Sequence, residues 1–465
     1  MATGTTVFSR VTVVAPRTRI DVALPADVAV ADLLPMLLEL SREATPDGGA
    51  RHGGWCLAKL GDGPLEPNRT LSALGVVDGE MLQLRRRSEN PPPPLFDDVV
   101  DAIAESSPGS YRPWTAQTAR RIGHVAAGAA LLTAAFAVLF AGPLGGGGNV
   151  APAITAGAVA VLAVVLGAVI ARAYQAETTG VLIAAAGGLP LAMVSGLHIV
   201  PGAPGRASLL LGCALVLVVA ASSIMVIGAG VTVFVAAGTA AGLGVLAFAV
   251  AALIAHPAPG IAAGTVAVAL AGLSVLPRLT IQLAKLPLPN VPGNAEDLKE
   301  DTGFPDYTSI ERRAGLAHEY MTGMIIGCGV VAAVAAIITA SKGDLFGIGL
   351  GVVATLVLLL RARTYANGSQ AVALLAAGIL AAGGIMIGWL FEADPFGRLL
   401  WVFGLLVLVT AVALVLGVVF PRQRFSPPLR RTVEVIEAIL IAIVLPLALA
   451  VMDLYMTLRH VHFDL

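Results

Sequence analysis

Charged residues are scarce in this sequence and unevenly distributed. Asp, Glu, Lys and Arg make up 13% of its 465 residues, about half of the roughly 25% found in an average soluble domain. From residue 122 to residue 276 the only charged side chains are those of Arg172, Glu177 and Arg206. Because a water-exposed surface needs charge, lipid is the expected solvent of this stretch. The formal net charge of −1 argues against a nucleic-acid binder, so we predict no nucleic-acid partner.

Metal-ligand and catalytic motifs are missing as well. The three cysteines, Cys56, Cys213 and Cys328, are far apart and have neither metal-ligand nor disulfide spacing. His460 and His462 lack a third ligand nearby. The sequence has no phosphate-binding loop, nucleophile elbow or HExxH motif. We therefore predict a protein that is not an enzyme, with no catalytic residue, no metal site and no cofactor.

Long apolar segments fill most of the remaining chain. A helix needs about 20 apolar residues to cross roughly 30 Å of hydrocarbon, and eleven segments are candidates. The sixth and eighth are short, and only Gly228–Gly230 separates the fourth from the fifth, so counts of ten or twelve stay open. The candidate spans are residues 122–141, 151–171, 179–197, 207–228, 231–254, 260–276, 318–340, 345–360, 369–391, 399–420 and 433–456.

The charges beside these spans predict the orientation. If the N-terminus is cytoplasmic, fifteen Lys and Arg residues lie beside inner span ends and four beside outer ones. This asymmetry is the one that the positive-inside rule requires, and a wrong span count would have scrambled it. We therefore expect a multi-pass protein of the bacterial inner membrane, with a cytoplasmic N-terminus and a periplasmic C-terminus. The four outer residues are Arg206, Lys342, Arg398 and Arg459.

The middle of each predicted span lacks ionisable residues, although ion-coupled carriers usually keep such groups there. Glu319 and Glu434 lie at inner span ends and Asp453 at an outer end, while Glu437 is the deepest acid. A salt bridge from Glu437 to an arginine at the membrane interface is its expected role. A major-facilitator-like transporter with a regulatory N-terminal domain stays the alternative, because such carriers also have a long loop after the sixth span.

Several of the 52 glycines lie four residues apart, as in Gly323 and Gly327 or Gly384 and Gly388. This spacing lets helix backbones approach closely in lipid. Packing within the chain is the expected use, and contact between subunits is the alternative.

Residues 1–88 have the alternation of short strands rather than spans. Strands are predicted at residues 7–14, 17–24, 55–60 and 81–84, with a helix at Val30–Leu40 whose N-cap would be Asp27. The order strand, strand, helix, strand, strand is typical of a ubiquitin-like β-grasp domain, and a generic small α+β domain is the alternative. Leu84 is not followed by the di-glycine that conjugation needs, so we expect a docking module.

Two further segments have features of docking sites. A polyproline spacer, Pro91–Pro94, precedes a short amphipathic helix that docks on a partner or on the membrane domain of the same chain. The loop after the sixth span is rich in proline and is acidic at Glu296, Asp297, Glu300 and Asp301. The predicted docking residues are Phe96, Val99, Val100, Ile103, Arg278, Lys285, Arg312 and Arg313.

The sequence therefore predicts a polytopic α-helical membrane protein with about eleven transmembrane helices and an N-terminal ubiquitin-like β-grasp domain. The predicted parts are a cytoplasmic domain (1–88), a linker with an amphipathic helix (89–121), spans one to six (122–276), a cytoplasmic loop (277–317) and spans seven to eleven (318–465).

This organisation resembles the EccD family, the multispanning membrane subunits of mycobacterial type VII (ESX) secretion systems. The resemblance covers the whole chain and includes the head, the proline linker, the Tyr111-Arg112-Pro113-Trp114 entry to the first span and the long sixth-to-seventh loop. It implies a scaffold that forms a homodimer around a lipid-occupied space and assembles with EccB-, EccC- and EccE-type subunits. It also implies that an EccC-type ATPase supplies the energy for export of WXG100 and PE/PPE proteins, so the partners are these subunits, a second copy and membrane lipids.

Overall fold

The computed structural model describes residues 8–43, 54–59, 63–86, 114–141, 150–202, 204–254, 256–286, 307–419 and 427–455. They belong to two compact units, Met1–Pro113 and Trp114–Leu465, which we call the head and the membrane unit. The predicted amphipathic helix with Phe96, Val99, Val100 and Ile103 lies outside the described residues, as do His460 and His462. The five-part division of the chain stays a prediction.

The head is a four-stranded mixed sheet covered by one helix. Strands β1 and β2 form an antiparallel hairpin, β4 pairs with β1 in parallel, and β3 pairs with β4 antiparallel, so the strand order is β2-β1-β4-β3. This order confirms the ubiquitin-like fold predicted from the element sequence. The elements are β1 (Phe8–Val14), β2 (Arg19–Pro25), α1 (Val30–Leu40), β3 (Trp55–Lys59) and β4 (Met81–Arg86).

The start of α1 differs from the sequence-based prediction. Its N-cap is Ala29, which makes no side-chain hydrogen bond, so the prediction of Asp27 as the N-cap is wrong. Backbone N–H groups at a helix start need acceptors outside the helix. Here the N–H groups of Val30 and Ala31 donate to the carbonyls of Arg69 and Pro67, at 3.1 and 2.9 Å. Backbone carbonyls of a segment distant in sequence therefore accept the hydrogen bonds that a side-chain N-cap would otherwise accept.

The membrane unit contains eleven helices that are long and apolar enough to cross a bilayer, within the part of the chain that the structure describes. This number confirms the predicted count. The helices are α2 (Ala116–Phe140), α3 (Val150–Ala173), α4 (Glu177–Ile199), α5 (Arg206–Ile227), α6 (Val231–Leu253), α7 (Ala258–Leu283), α8 (Tyr307–Ala340), α9 (Leu345–Thr364), α10 (Gly368–Glu392), α11 (Pro395–Val415) and α12 (Pro427–Val451). We call the face at which α2 begins the proximal face, and the opposite one the distal face.

Several helices extend beyond the predicted spans, and three of them change the assignment of the linker and the loop. Helix α2 begins at Ala116, inside the predicted linker, because Thr115 caps it by accepting a hydrogen bond from the Thr118 N–H group. Helix α7 continues through Pro277 to Leu283, and α8 begins eleven residues before its predicted span. Residues 278–283 and 307–317 of the predicted loop are therefore helical.

The short connection between α5 and α6 confirms that these are two spans. Gly228 and Gly230 have positive φ angles of 76° and 69°, a conformation that glycine adopts without steric cost. The two helices can therefore reverse direction within three residues and pack against each other.

Small residues let the membrane helices approach closely. A Cβ atom on Gly327 would lie 2.7 Å from both the Ala236 carbonyl oxygen and Thr239 Cβ on α6, and one on Gly323 would lie 2.7 Å from the Thr232 oxygen. Both glycines therefore serve packing of α8 against α6 within the chain. The largest buried cluster surrounds α8, and α7, α9, α10 and α12 contribute to it.

Candidate docking surface of the membrane unit

The proximal face carries the four cations of the membrane unit that were predicted to dock partners, at the ends of α7 and α8. Arg278 lies on the last turns of α7, Lys285 follows that helix, and Arg312 and Arg313 lie on the first turns of α8. All four are exposed. Arg313 Nη1 donates to the Lys285 carbonyl oxygen at 2.9 Å, which ties the two helix ends together. We call these four residues the basic stalk.

Helix length places part of the basic stalk outside the hydrocarbon. Helix α8 has 34 residues, which at 1.5 Å per residue is about 51 Å, and the hydrocarbon core is about 30 Å thick. Helix α8 packs along α7, so the two helix ends can extend beyond the membrane together. None of the described residues forms a salt bridge with any of the four cations. Within the described residues, these four cations are therefore exposed and have no salt-bridge partner.

Glu437 on α12 forms salt bridges with two arginines at the end of α9. Its Oε1 lies 3.4 Å from Arg361 Nη1 and its Oε2 lies 3.1 Å from Arg363 Nη2, and its side chain is only 7% exposed. Arg361 Nη2 also donates to Ser274 Oγ on α7 at 2.9 Å. The acid therefore joins three helices near the proximal face. A salt bridge was the predicted role of Glu437, and the geometry confirms it.

The two arginines that lie near Glu437 in the sequence form salt bridges with another acid. Arg430 and Arg431 both pair with Glu434, at 3.3 and 3.6 Å, and these side chains are largely exposed. Arg361 and Arg363 lie more than seventy residues from Glu437 in the chain. Sequence spacing offered no signal for this pairing, which depends on α9 and α12 packing side by side.

Asp453 on the distal face also belongs to a salt-bridge cluster. Lys342 Nζ lies 3.1 Å from Asp344 and 3.4 Å from Asp453, and it donates to the Val451 carbonyl oxygen at 3.2 Å. Burial alone would lower the pKa of Lys342, but the hydrogen bond and charge of Asp344, with the charge of Asp453, raise it overall. Lys342 therefore stays charged and holds the end of α12 to the α8–α9 connection.

Most buried polar side chains within the described spans form hydrogen bonds inside their own helix. The hydroxyls of Thr322, Thr339 and Thr355 donate to carbonyls four residues earlier in their own helices. Gln370 Nε2 donates to Thr322 Oγ1 at 3.2 Å, which links α10 to α8. This buried Gln was not singled out from the sequence. The bond between Gln370 and Thr322 therefore stabilises the packing of α10 against α8.

Helices α2 and α11 are poorly covered by the rest of the membrane unit. Only 6% of the apolar window of each helix is buried, against 61% for α8. Helix α11 contacts α10 near its distal end, where Arg398 Nε donates to the Leu390 carbonyl oxygen at 3.0 Å. The sequence did not distinguish these helices from the others, because all eleven have similar hydropathy.

Comparison with known proteins gives a consistent result for both units. The membrane unit matches the EccD-like transmembrane domain over residues 119–461, and the head matches the protein YukD of the WXG100 protein secretion system over residues 8–84. The ESX-4 secretion system protein eccD4 of Mycobacterium tuberculosis (strain ATCC 25618 / H37Rv) is 30% identical over 471 residues, with 99% of each chain covered.

Two solved structures share the fold. Protomer 1 of the ESX-3 core complex aligns with a TM-score of 0.64 at 21% identity, covering 97% of this chain and all of the other. A chain of the MycP5-free ESX-5 inner membrane complex in State II aligns with a TM-score of 0.56 at 19% identity, covering 88% and 99% of the two chains.

Proposed function

Because the chain belongs to the EccD family of non-enzymatic, structural membrane components of ESX type VII secretion systems, we propose that it is the scaffold on which the secretion complex assembles. In this role it docks an EccC-type ATPase and EccB- and EccE-type subunits for export of WXG100 and PE/PPE proteins. The observation that carries the docking role is the basic stalk, since its four exposed cations have no salt-bridge partner among the described residues. A charged surface of this kind favours a partner of opposite charge.

The cytoplasmic partners require a defined orientation. We place the proximal face and the N-terminus in the cytoplasm, and the distal face and the C-terminus in the periplasm, because the positive charges lie beside the proximal span ends. A single cysteine at Lys285 would then be protected from an impermeant thiol reagent in intact cells, and one at Leu345 would be labelled. The reverse labelling pattern would overturn the orientation.

The basic stalk is tested by charge reversal in the assembled complex. Replacing Arg278, Lys285 and Arg312 with Glu should reduce recovery of the ATPase and the other cytosolic parts after purification in mild detergent. The matched control reverses Arg430 and Arg431, which lie on the same face and pair with Glu434. Equal loss with both variants would indicate a general charge effect and overturn the specific role of the stalk.

The head is proposed as a second docking element. Deletion of residues 1–88 should loosen the ATPase contact while the membrane helices still insert. The same pull-down reports this, with membrane insertion checked by protease protection. Unchanged ATPase recovery would show that the head does not dock the ATPase.

Helices α2 and α11 support the proposal that the chain contacts a second copy and other membrane subunits. Their poor coverage within the chain leaves most of their length for intermolecular packing. Cysteine pairs on α11, for example at Leu408, should cross-link between two copies in native membranes, whereas cysteines at the buried Leu350 of α9 should not. Recovery as an isolated monomer at every detergent strength, with no other subunit, would overturn the scaffold role itself.

A further inference from the structure

A groove opens between α6 and α7 in the distal half of the membrane unit. Helix α6 packs mainly against α5 and α8, and α7 packs mainly against α8, so these sequence neighbours leave a gap between them. The gap has a volume of about 210 Å³. Its walls are Leu243, Leu246, Ala247 and Val250 of α6, Ile261, Gly264, Thr265 and Val268 of α7, and Met452.

The groove is apolar and faces the membrane. Leu246, Val250 and Val268 on its walls are 61%, 44% and 54% exposed, so the groove opens on the outer surface of the membrane unit. The one hydroxyl in its walls, Thr265 Oγ1, already donates to the Ile261 carbonyl oxygen at 2.8 Å. Gly264 keeps the groove open, since a Cβ there would have Met452 Sδ at 3.8 Å as its nearest neighbour. The groove therefore suits a hydrocarbon chain.

A fixed guanidinium lies at the distal mouth of the groove. Arg206 Nη1 donates to the Ala251 and Ile254 carbonyl oxygens at 2.9 and 3.3 Å, and Nη2 donates to the His256 oxygen at 2.8 Å. Ala251 directly follows the groove residue Val250. His256 Nε2 donates in turn to the Met452 carbonyl oxygen at 2.9 Å. Arg206 is thus anchored to the end of α6 and to the α6–α7 connection, and His256 joins that connection to the end of α12.

Arg206 has no carboxylate partner among the described residues. No described carboxylate forms a salt bridge with it, and its side chain is exposed. A guanidinium has five N–H groups, so three bonds to carbonyls leave two for another acceptor. Arginine is also unusual on this face, which carries few cations. An exposed guanidinium that three carbonyls hold in place can bind a phosphate.

We infer that this groove binds one acyl chain of an anionic phospholipid in the distal leaflet, with the lipid phosphate held by Arg206. The apolar walls select hydrocarbon, and the guanidinium, which has no carboxylate partner among the described residues, selects an anionic headgroup. The site lies within one chain, so it does not require a second copy or any other subunit.

The test uses the full-length chain purified in detergent and depleted of lipid. Native mass spectrometry and thermal unfolding are compared for added phosphatidylglycerol, phosphatidylcholine with the same acyl chains, and inorganic phosphate. We expect phosphatidylglycerol to be retained preferentially and to raise the melting temperature most. Arg206→Gln should weaken its retention by on the order of tenfold and remove its advantage over phosphatidylcholine. Arg398→Gln is the matched control, because Arg398 also donates to carbonyls on this face, but those of Leu390 and Phe391 belong to α10, which contributes no wall of the groove.

A second variant tests the groove without touching the arginine. Gly264→Leu should fill the groove and abolish retention of both lipids, while Gly242→Leu, on α6 with open space at its Cβ position, should retain them. Unchanged retention in Gly264→Leu would overturn the acyl-chain site. If inorganic phosphate raised the melting temperature as much as phosphatidylglycerol does, the site would bind an anion rather than a lipid, and the inference would be wrong. A photo-crosslinker at Leu246 that captures a protein rather than a lipid in the assembled complex would assign the groove to a partner helix and also overturn the inference.

Discussion

The head and the membrane unit build their cores from different residues. The largest fully buried side chains in the described part of the head are six leucines, namely Leu37 on α1, Leu24, Leu57, Leu82 and Leu84 in the sheet, and Leu71 in a connecting segment. In the membrane unit, alanines dominate the buried clusters, and glycines make the closest interhelical approaches, such as that of Gly180 to the Gly167 carbonyl oxygen.

The solvent explains this difference. In water, burial of each large aliphatic side chain contributes about 1.5–3 kcal/mol, so the head gains most from leucine. In a bilayer the surrounding tails are as apolar as leucine, so burial from lipid gains little and close packing must stabilise the bundle. Burial of leucine therefore contributes more to the stability of the head, and close helix packing contributes more to that of the membrane unit.

The largest effect is expected from a leucine in the head. Leu57→Ala should lower the free energy of unfolding of the head by about 2–5 kcal/mol, because it removes a fully buried side chain. Hydrogen exchange of head peptides in the full-length protein measures this change. Leu408→Ala on α11, where the side chain is 59% exposed, should have almost no effect on the membrane unit. Similar losses at both positions would contradict the comparison.

A buried charge should be nearly as important in the membrane unit. Glu437→Gln leaves Arg361 and Arg363 without a carboxylate, and breaking a buried pair in this way costs about 3 kcal/mol. Thermal unfolding with a thiol-reactive dye, which reports exposure of the buried Cys328, measures the loss. Glu434→Gln removes only exposed pairs and should cost under about 1 kcal/mol. An equally small effect at Glu437 would show that the three helices do not depend on it.

The addition of a single methyl group tests the role of glycine. Gly327→Ala places a Cβ 2.7 Å from the α6 backbone, so the helices must separate, at a cost of about 1–3 kcal/mol. Gly388→Ala meets nothing within 4 Å and should be neutral or slightly stabilising. The same thermal assay applies, and a destabilised Gly388→Ala variant would assign that glycine to contacts outside the chain.

The smallest expected effect is a change in how the stability of the head depends on pH. The Val77 N–H group, 2.9 Å from Glu80 Oε2, lowers the pKa of Glu80 below 4.5, and Lys59 contributes in the same direction against the effect of burial. Because the folded pKa is the lower one, this stabilisation is complete above about pH 4.5 and is lost as the pH falls further. Glu80→Gln should flatten this acid dependence in hydrogen-exchange measurements, whereas Glu66→Gln, at an exposed pair, should not.

Local patterns predicted the elements well but failed where distant segments meet. The strands of the head and the eleven spans follow from alternation and length, both of which are local properties. The N-cap of α1 was missed because its acceptors come from residues 67 and 69, and the arginines of Glu437 were missed because they come from another helix. The docking role of the basic stalk stays a prediction, since only its geometry has been described.

The sequence by itself determined which parts of the chain belong in lipid and which in water, because that partition depends on hydropathy summed over about twenty residues. The positions of the charged residues in the sequence also showed that the middle of each predicted span lacks ionisable side chains. Only the tertiary structure decided which glycines touch a backbone, which helices stay uncovered, and that Arg206 bonds to the end of the helix that forms one wall of an apolar groove. Those features depend on how helices distant in sequence pack, and in a bilayer that packing is set by shape rather than by hydropathy.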